Sequence, residues 1–294
     1  MPDTTTCRDV QGADVVIHEF TDPGCPWAYS AEPFRRRINW LYGDRVVWRT
    51  VMVGLADVPE DWAERGYTLE SMARSMARIA HDHGMPIDTE PRERMSATTP
   101  ACRAVIGVRL NAPQHERLML RRLRVRYMSG HLLDTSETIR AAAAAAGLDP
   151  DDVERWAAAD DVTAQLALDM ERARRPLPAA RVLDDKLANW SGGRRYTCPS
   201  YEFCRVADDV RIAVPGFQPF AAYDVILANL VPGTGRREPA TSVEEVLAWT
   251  GTPLATREVA VVCDVSHERA RELLGRVAEE CHVGFDGFWT LPGA

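Results

Sequence analysis

Runs of apolar positions mark the first two strands of the chain. Residues 15–20 open on Val15-Val16-Ile17, a run that predicts a strand buried on both faces. Residues 31–42 predict a helix, stopped by Gly43-Asp44. Residues 45–53 are apolar or β-branched at nearly every position, which predicts a second, mostly buried strand and hence a parallel strand–helix–strand unit. From about Thr68 the period changes to three and four. Leu69, Met72, Ala73, Met76, Ile79 and Ala80 then form one apolar helix face, ended by Gly84-Met85-Pro86. Further helices are predicted over 100–110, 114–129 and 135–146, the last capped by Thr135 or Ser136 and closed by Gly147. Another opens at Asp149-Pro150, with aspartate as cap and proline in the first turn, and a last one spans 161–174 before Pro176 and Pro178.

Strand character returns over 195–203, around Cys198-Pro199, with a second run at 209–214 and a helix over 219–230. The glycines and arginines of 232–240 read as a linker. Helices over 242–250, 256–261 and 266–280, then a strand pair at 282–291 around Asp286-Gly287, make a winged-helix-like arrangement. The reading is an α/β domain assembled from 1–54 and 181–231, an all-helical insertion over 55–180, and a small module over 241–294.

Two or three such units suit 294 residues, and 46% hydrophobic with 27% charged positions is a globular balance. No apolar run reaches the roughly 20 residues of a membrane helix, and the polar start has no signal-peptide core, so a cytoplasmic protein without a membrane role is expected. A net charge of −8 offers no general attraction to nucleic acid. From Glu238 onward the chain has four arginines, no lysine and ten acidic residues, so the winged-helix-like tail is expected to cover the catalytic domain or make a homodimer contact rather than bind DNA. The seven cysteines, Cys7, Cys25, Cys102, Cys198, Cys204, Cys263 and Cys281, are scattered without a C-x-x-C pair. That argues for free thiols in a reducing compartment and against a disulfide framework or zinc finger.

One cysteine is placed for chemistry. Cys25 stands on the turn from the first strand into helix, followed by Pro26, which gives up no needed N–H there. Unpaired N–H groups and the helix dipole favour the thiolate, the nucleophilic form.

The segment Glu19-Phe20-x-x-Pro23-x-Cys25-Pro26-x-x-Tyr29 resembles the active-site segment of DsbA-type thioredoxin-fold proteins, and Asp22-Pro23-x-Cys25-Pro26-Trp27 is similar to its FrnE-like branch. Thr197-Cys198-Pro199-Ser200 sits where that family carries its cis-proline loop, and Val214-Pro215-Gly216-Phe217-Gln218-Pro219 resembles the turn into its last helix. The resemblance covers about 15–230 and implies a thioredoxin fold with a large helical insertion. One departure matters. The fourth motif position is Ala28, so the neighbouring thiol that resolves a mixed disulfide is missing.

What the resemblance implies for single residues follows from it. Cys25 is the motif nucleophile. Cys198, where the family usually has Thr or Val, faces it and forms a redox pair with it, holds a soft metal jointly with it, or merely fills a pocket; no bound metal or cofactor is expected. Glu19 matches the buried acid beneath the thiol, either as a proton shuttle or as a carboxylate at a strand end. Pro26, Trp27, Tyr29, Pro199 and Ser200 would wall the site, Glu32 would lie near its mouth at best, and Cys204, by strand alternation, is a further candidate. His18, on the opposite strand face, is read as structural. Arg121, Arg122, Arg124 and Arg126 read as a solvated face or as an attractor of anionic thiols, and Met72, Met76, Met95, Met119 and Met128 as packing or cleft lining. The expected function is a thiol-dependent oxidoreductase acting on a small thiol, disulfide or electrophile or on a protein thiol, with a low-molecular-weight thiol as cosubstrate. The alternatives are a glutathione- or mycothiol-type isomerase or transferase, as in the 2-hydroxychromene-2-carboxylate isomerases, and a non-catalytic binding or regulatory protein.

Overall fold

Four strands form the central sheet in the order β2-β1-β5-β6. In the computed structural model, which describes residues 7, 8 and 10–293, β1 (Val15–Thr21) lies parallel to β2 (Val46–Met52) and antiparallel to β5 (Ser200–Arg205), which pairs with β6 (Arg211–Val214). Every residue of β1 is buried, as a central strand covered on both faces requires. On one face, Val15 and Ile17 pack with Tyr201 and Phe203 beneath α2 (Glu32–Tyr42) and α11 (Phe220–Leu230). On the other, Phe20 and Val51 meet Ala173, Ala180 and Tyr196.

The first helix begins earlier than the pattern predicts. α1 (Pro26–Ser30) starts at the motif proline, and α2 follows after Ala31, with Pro33 in its first turn. Between β2 and β3 (Leu187–Trp190) come α3 (Glu60–Glu64), α4 (Leu69–His83), α5 (Thr99–Asn111), α6 (Glu116–Met128), α7 (Ser136–Ala145), α8 (Pro150–Ala157), α9 (Asp160–Ala173) and α10 (Pro178–Arg181). They enclose their own core, with Met76, Met119 and Met128 buried in it. Thr135 caps α7 through its side chain and Asp149 caps α8. The hairpin of β3 and β4 (Gly193–Tyr196) is absent from the sequence reading, although Gly192-Gly193 is a turn signal.

Beyond the sheet, α12 (Val243–Thr250), α13 (Thr256–Cys263) and α14 (His267–Val277) pack with a three-stranded sheet of β7 (Leu254–Ala255), β8 (Glu279–Val283) and β9 (Asp286–Thr290), ordered β7-β9-β8. The expected helix over 266–280 stops at Val277, because Glu279 and Glu280 pair with Thr290 and Trp289. This module is fastened to the rest by buried charge. Glu258 accepts from Arg121 of α6 (2.5 Å) and Arg36 of α2 (3.3 Å), and Trp40 enters the module's core.

Two expectations are corrected here. Cys7 and Cys204, 197 residues apart, are disulfide-bonded, so these two thiols are not free. The arginine cluster of α6 is a solvated face only in part: Arg122 and Arg126 are half-buried, but Arg121 and Arg124 are buried in ion pairs with Glu258, Glu19 and Glu32. No helix of the described residues is long and apolar enough to cross a membrane.

Candidate active site

The site is built where β1 runs out into α1. Asp22 turns the chain: its Oδ1 accepts from Gly24 N at 2.8 Å, and its carbonyl accepts from Cys25 N at 3.2 Å. Gly24 is required by space. A Cβ there would lie 2.7 Å from Thr98 Cγ2. Cys25 then caps α1 in extended conformation, with Pro26 next. Opposite, the chain leaves β4, passes Thr197 and Cys198, crosses a cis peptide bond into Pro199, and enters β5. This loop brings Cys198 against Cys25 across 173 residues of sequence. Cys25 Sγ donates to the Cys198 carbonyl at 3.3 Å.

The two sulfurs are electrostatically unequal. Burial pushes the Cys25 thiol up, but hydrogen bonds from Cys198 and from the N–H groups of Ala28 and Trp27 outweigh it and leave Cys25 below the ordinary thiol value. Cys198 is pushed well above that value, first by burial and then by its donation to Cys25. Cys25 is therefore the easier of the two thiols to ionise and Cys198 the harder. Both are only 5% exposed.

A cleft of about 350 Å³ opens onto the pair, walled by Trp27, Trp62, Met72 and Tyr127. Arg65, Arg78 and Arg195 also line it. Arg65 donates to the Leu55 carbonyl and Arg195 to that of Tyr196, and among the described residues none of the three has a carboxylate partner. Trp27 is braced by His83 and Phe217, with ring centroids 5.1 and 5.6 Å away.

The remaining sequence candidates are distributed differently. Glu19 is enclosed by arginines, bonded to Arg35 at 2.5 Å and Arg124 at 2.9 Å. Burial pushes its carboxyl up, but Arg124, then Arg35, outweigh this and hold it at about 2. A group ionised that firmly does not shuttle protons near neutral pH. Glu32, expected near the mouth, is buried in the same network through Arg117 and Arg124. Tyr29, expected as a wall, lies in the insertion core and donates to the Pro86 carbonyl at 3.0 Å. Ser200 braces the loop instead of lining the cleft, donating to Thr197 O at 2.7 Å and accepting from Gly216 N at 3.0 Å. Cys204 is bound to Cys7 and belongs to another cluster. Pro26 lines the cleft. His18 is buried with neither ring nitrogen hydrogen-bonded, and burial, with the charges of Arg172, Arg49 and Arg211, keeps it neutral.

The sequence reading missed Asp22 as a chemical group. Its carboxylate is fully buried and accepts from Leu55 N (2.8 Å), Thr98 Oγ1 (2.9 Å) and Cys102 Sγ (3.5 Å) besides Gly24 N. Burial raises its pKa, and its charge acts on both Cys25 and Cys198. The available signal was its place three residues before Cys25. Cys102 and Thr98, from the insertion, had no local signal at all.

Residues 16–177 match the family model described as DSBA-like thioredoxin domain. The ClpXP adapter protein SpxH of Halalkalibacterium halodurans is 24% identical over 289 residues, covering 93% of this chain and 87% of that one. Among solved structures, a Nitrosomonas europaea protein provisionally described as a protein disulfide isomerase superposes with a TM-score of 0.57 at 16% identity, over 76% of this chain and 100% of that one. The cytosolic disulfide reductase DsbM from Pseudomonas aeruginosa gives 0.51 at 17%, over 73% and 99%. These likenesses describe the fold.

Proposed function

The chain belongs to the DSBA-like thioredoxin domain family, and from that premise we propose that it is a thiol–disulfide oxidoreductase whose two reacting sulfurs are Cys25 and Cys198. The observation that carries this reading is the contact of Cys25 with the Cys198 loop, one thiol held below and one above the ordinary thiol value, both lining one cleft. The second thiol of the usual C-x-x-C has moved from the helix to the cis-proline loop.

In the forward direction the Cys25 thiolate attacks one sulfur of a substrate disulfide, forming a mixed disulfide and expelling the other half as a thiolate. Cys198 then loses its proton and attacks Cys25 Sγ, the leaving substrate thiolate taking up a proton in its place. The products are the Cys25–Cys198 disulfide and the second substrate thiol; two electrons have passed from protein to substrate. Two equivalents of a small thiol return them. Arg65, Arg78 and Arg195 favour an anionic partner, such as a low-molecular-weight thiol carrying carboxylates or its disulfide. A cytoplasmic site, as in the name of the DsbM neighbour, fits a reaction needing such a cosubstrate. No resident cofactor enters the scheme, and an isomerase or transferase on the same site would need the same added thiol.

Oxidation by a small disulfide followed by alkylation and peptide mass spectrometry tests the pair. The expected product is one cross-linked peptide joining Cys25 and Cys198, lost in Cys25→Ser and in Cys198→Ser. Two independently blocked cysteines sink the proposal. A second reading is favoured by one observation: the likeness to SpxH runs through the C-terminal module as well as the thioredoxin-like part. On that reading the protein is an adapter without turnover, and wild type and Cys25→Ser would be equally inert toward a disulfide reporter.

A further inference from the structure

A second sulfur centre lies far from the cleft. Cys204, next to last in β5, lies opposite Val16, whereas Ser200, beside the active-site loop, pairs with Phe20. Four residues of strand separate the two places, about 13 Å. Cys7 reaches Cys204 from the N-terminal segment, with their Cα atoms 6.3 Å apart, and both residues are fully buried. Asp209, in the turn between β5 and β6, completes the group. Its Oδ1 lies 3.0 Å from Cys7 Sγ and 3.0 Å from Cys204 Sγ.

That carboxylate is not explained by the disulfide. A disulfide sulfur carries no proton, so neither 3.0 Å approach is a hydrogen bond in the oxidised state, and a carboxylate gains nothing from facing two sulfur lone pairs. The oxygen is nonetheless held there. Asp209 adopts a left-handed backbone conformation (φ 62°), and its side chain accepts from Cys7 N at 3.2 Å and from Arg211 at 3.0 Å. Two sulfurs and one carboxylate oxygen, all within 4.8 Å of one another, are the donor set of a tetrahedral site with one position left for water. Two thiolates and a carboxylate beside Arg211 leave two net negative charges, which a divalent cation neutralises.

We propose that Cys7, Cys204 and Asp209 form a binding site for a thiophilic divalent cation of the zinc class, opened by reduction of the Cys7–Cys204 bond. Two equivalents of a small thiol reduce the bond, giving two protein thiols and one small-molecule disulfide. The cation then binds both sulfurs and displaces their two protons to solvent. Reoxidation by a disulfide expels the cation and re-forms the bond. The N-terminal segment stays tied to β5 in both states, by a covalent bond in one and by a metal in the other.

The test uses the full-length protein carrying Cys25→Ser and Cys198→Ser, so that the active-site thiols cannot supply the ligands. It is reduced with a phosphine, freed of reductant without oxygen, and titrated with Co(II). The expected result is one equivalent bound, with thiolate-to-cobalt charge-transfer absorption and the intense visible bands of tetrahedral cobalt, both removed by one equivalent of Zn(II). Cys7→Ser and Cys204→Ser lose these bands, Asp209→Asn weakens binding, and the oxidised protein takes up no cobalt. No stoichiometric binding by the reduced protein overturns the proposal, as does unchanged binding in Cys7→Ser, with circular dichroism confirming that each variant is folded. Because the active-site pair is absent throughout, failure here leaves the proposed oxidoreductase activity untouched.

Discussion

Replacing Cys198 with alanine removes the side-chain donor that faces the Cys25 thiolate, while the backbone donors of Ala28 and Trp27 remain. A hydrogen bond to a charged, desolvated group is worth about 1.5–3 kcal/mol, and the pair is desolvated, each thiol being 5% exposed. At a fixed pH below the midpoint, that loss lowers the Cys25 thiolate fraction by about ten- to a hundredfold. A more basic thiolate is also more nucleophilic, with a Brønsted slope of about 0.4–0.5, which returns roughly half of the logarithm. The net expectation is an alkylation rate at Cys25 about three- to tenfold lower near neutral pH, with the titration midpoint moved upward. The assay is iodoacetamide alkylation across a pH series, read at the Cys25 peptide by mass spectrometry, because Cys281 is exposed and reacts as well. Asp22→Asn supplies a control of opposite sign: the Asp22 charge pulls Cys25 up, so its removal moves the midpoint down. An unmoved midpoint in Cys198→Ala refutes the claim that the second thiol tunes the first.

Other predictions concern the Asp22 charge, the buried ion pairs and the cleft. The Asp22 charge pushes both thiols up, so Asp22→Asn should speed both the first attack and the closure of the Cys25–Cys198 disulfide near neutral pH, as stopped-flow kinetics would measure. Glu19 is held at about 2 against an ordinary 4.5, so it contributes stability that is fully present above 4.5 and lost as the pH falls toward 2. The contribution is about 3 kcal/mol, and urea unfolding at stepped pH should find the acid limb flattened in Glu19→Gln. Glu258→Gln leaves Arg121 and Arg36 without their anion and should cost about 3 kcal/mol, with α13 losing hydrogen-exchange protection before the central sheet does. Arg78→Ala together with Arg195→Ala should raise KM for a carboxylated disulfide and leave that for a neutral one unchanged, since these side chains line the cleft without a carboxylate partner among the described residues.

The elements with strong local periodicity were legible. The buried strand over Val15–Thr21, the helix from Leu69 to His83, and the capped helices after Thr135 and Asp149 follow from side-chain pattern and capping chemistry alone. Misreadings fell where a partner overrides local preference. Glu279 and Glu280 extend a helical pattern, yet they form a strand because β9 offers them hydrogen bonds. Arg121 and Arg124 look like a solvated face, and only the carboxylates of Glu258, Glu19 and Glu32, brought in from distant segments, make their burial affordable.

For the site, the chain by itself pointed to Cys25 as the candidate nucleophile and showed alanine at its C-x-x-C partner position, because both lie within one turn of backbone. Tertiary structure alone decided that Cys198 donates to Cys25, that Asp22 rather than Glu19 is the carboxylate whose charge reaches both thiols, and that Cys7 meets Cys204. The physical reason is range. Propensity and periodicity act over a few residues, whereas a thiol's pKa and its partner are set by whichever groups the sheet register and the cis-proline loop bring within a few ångströms.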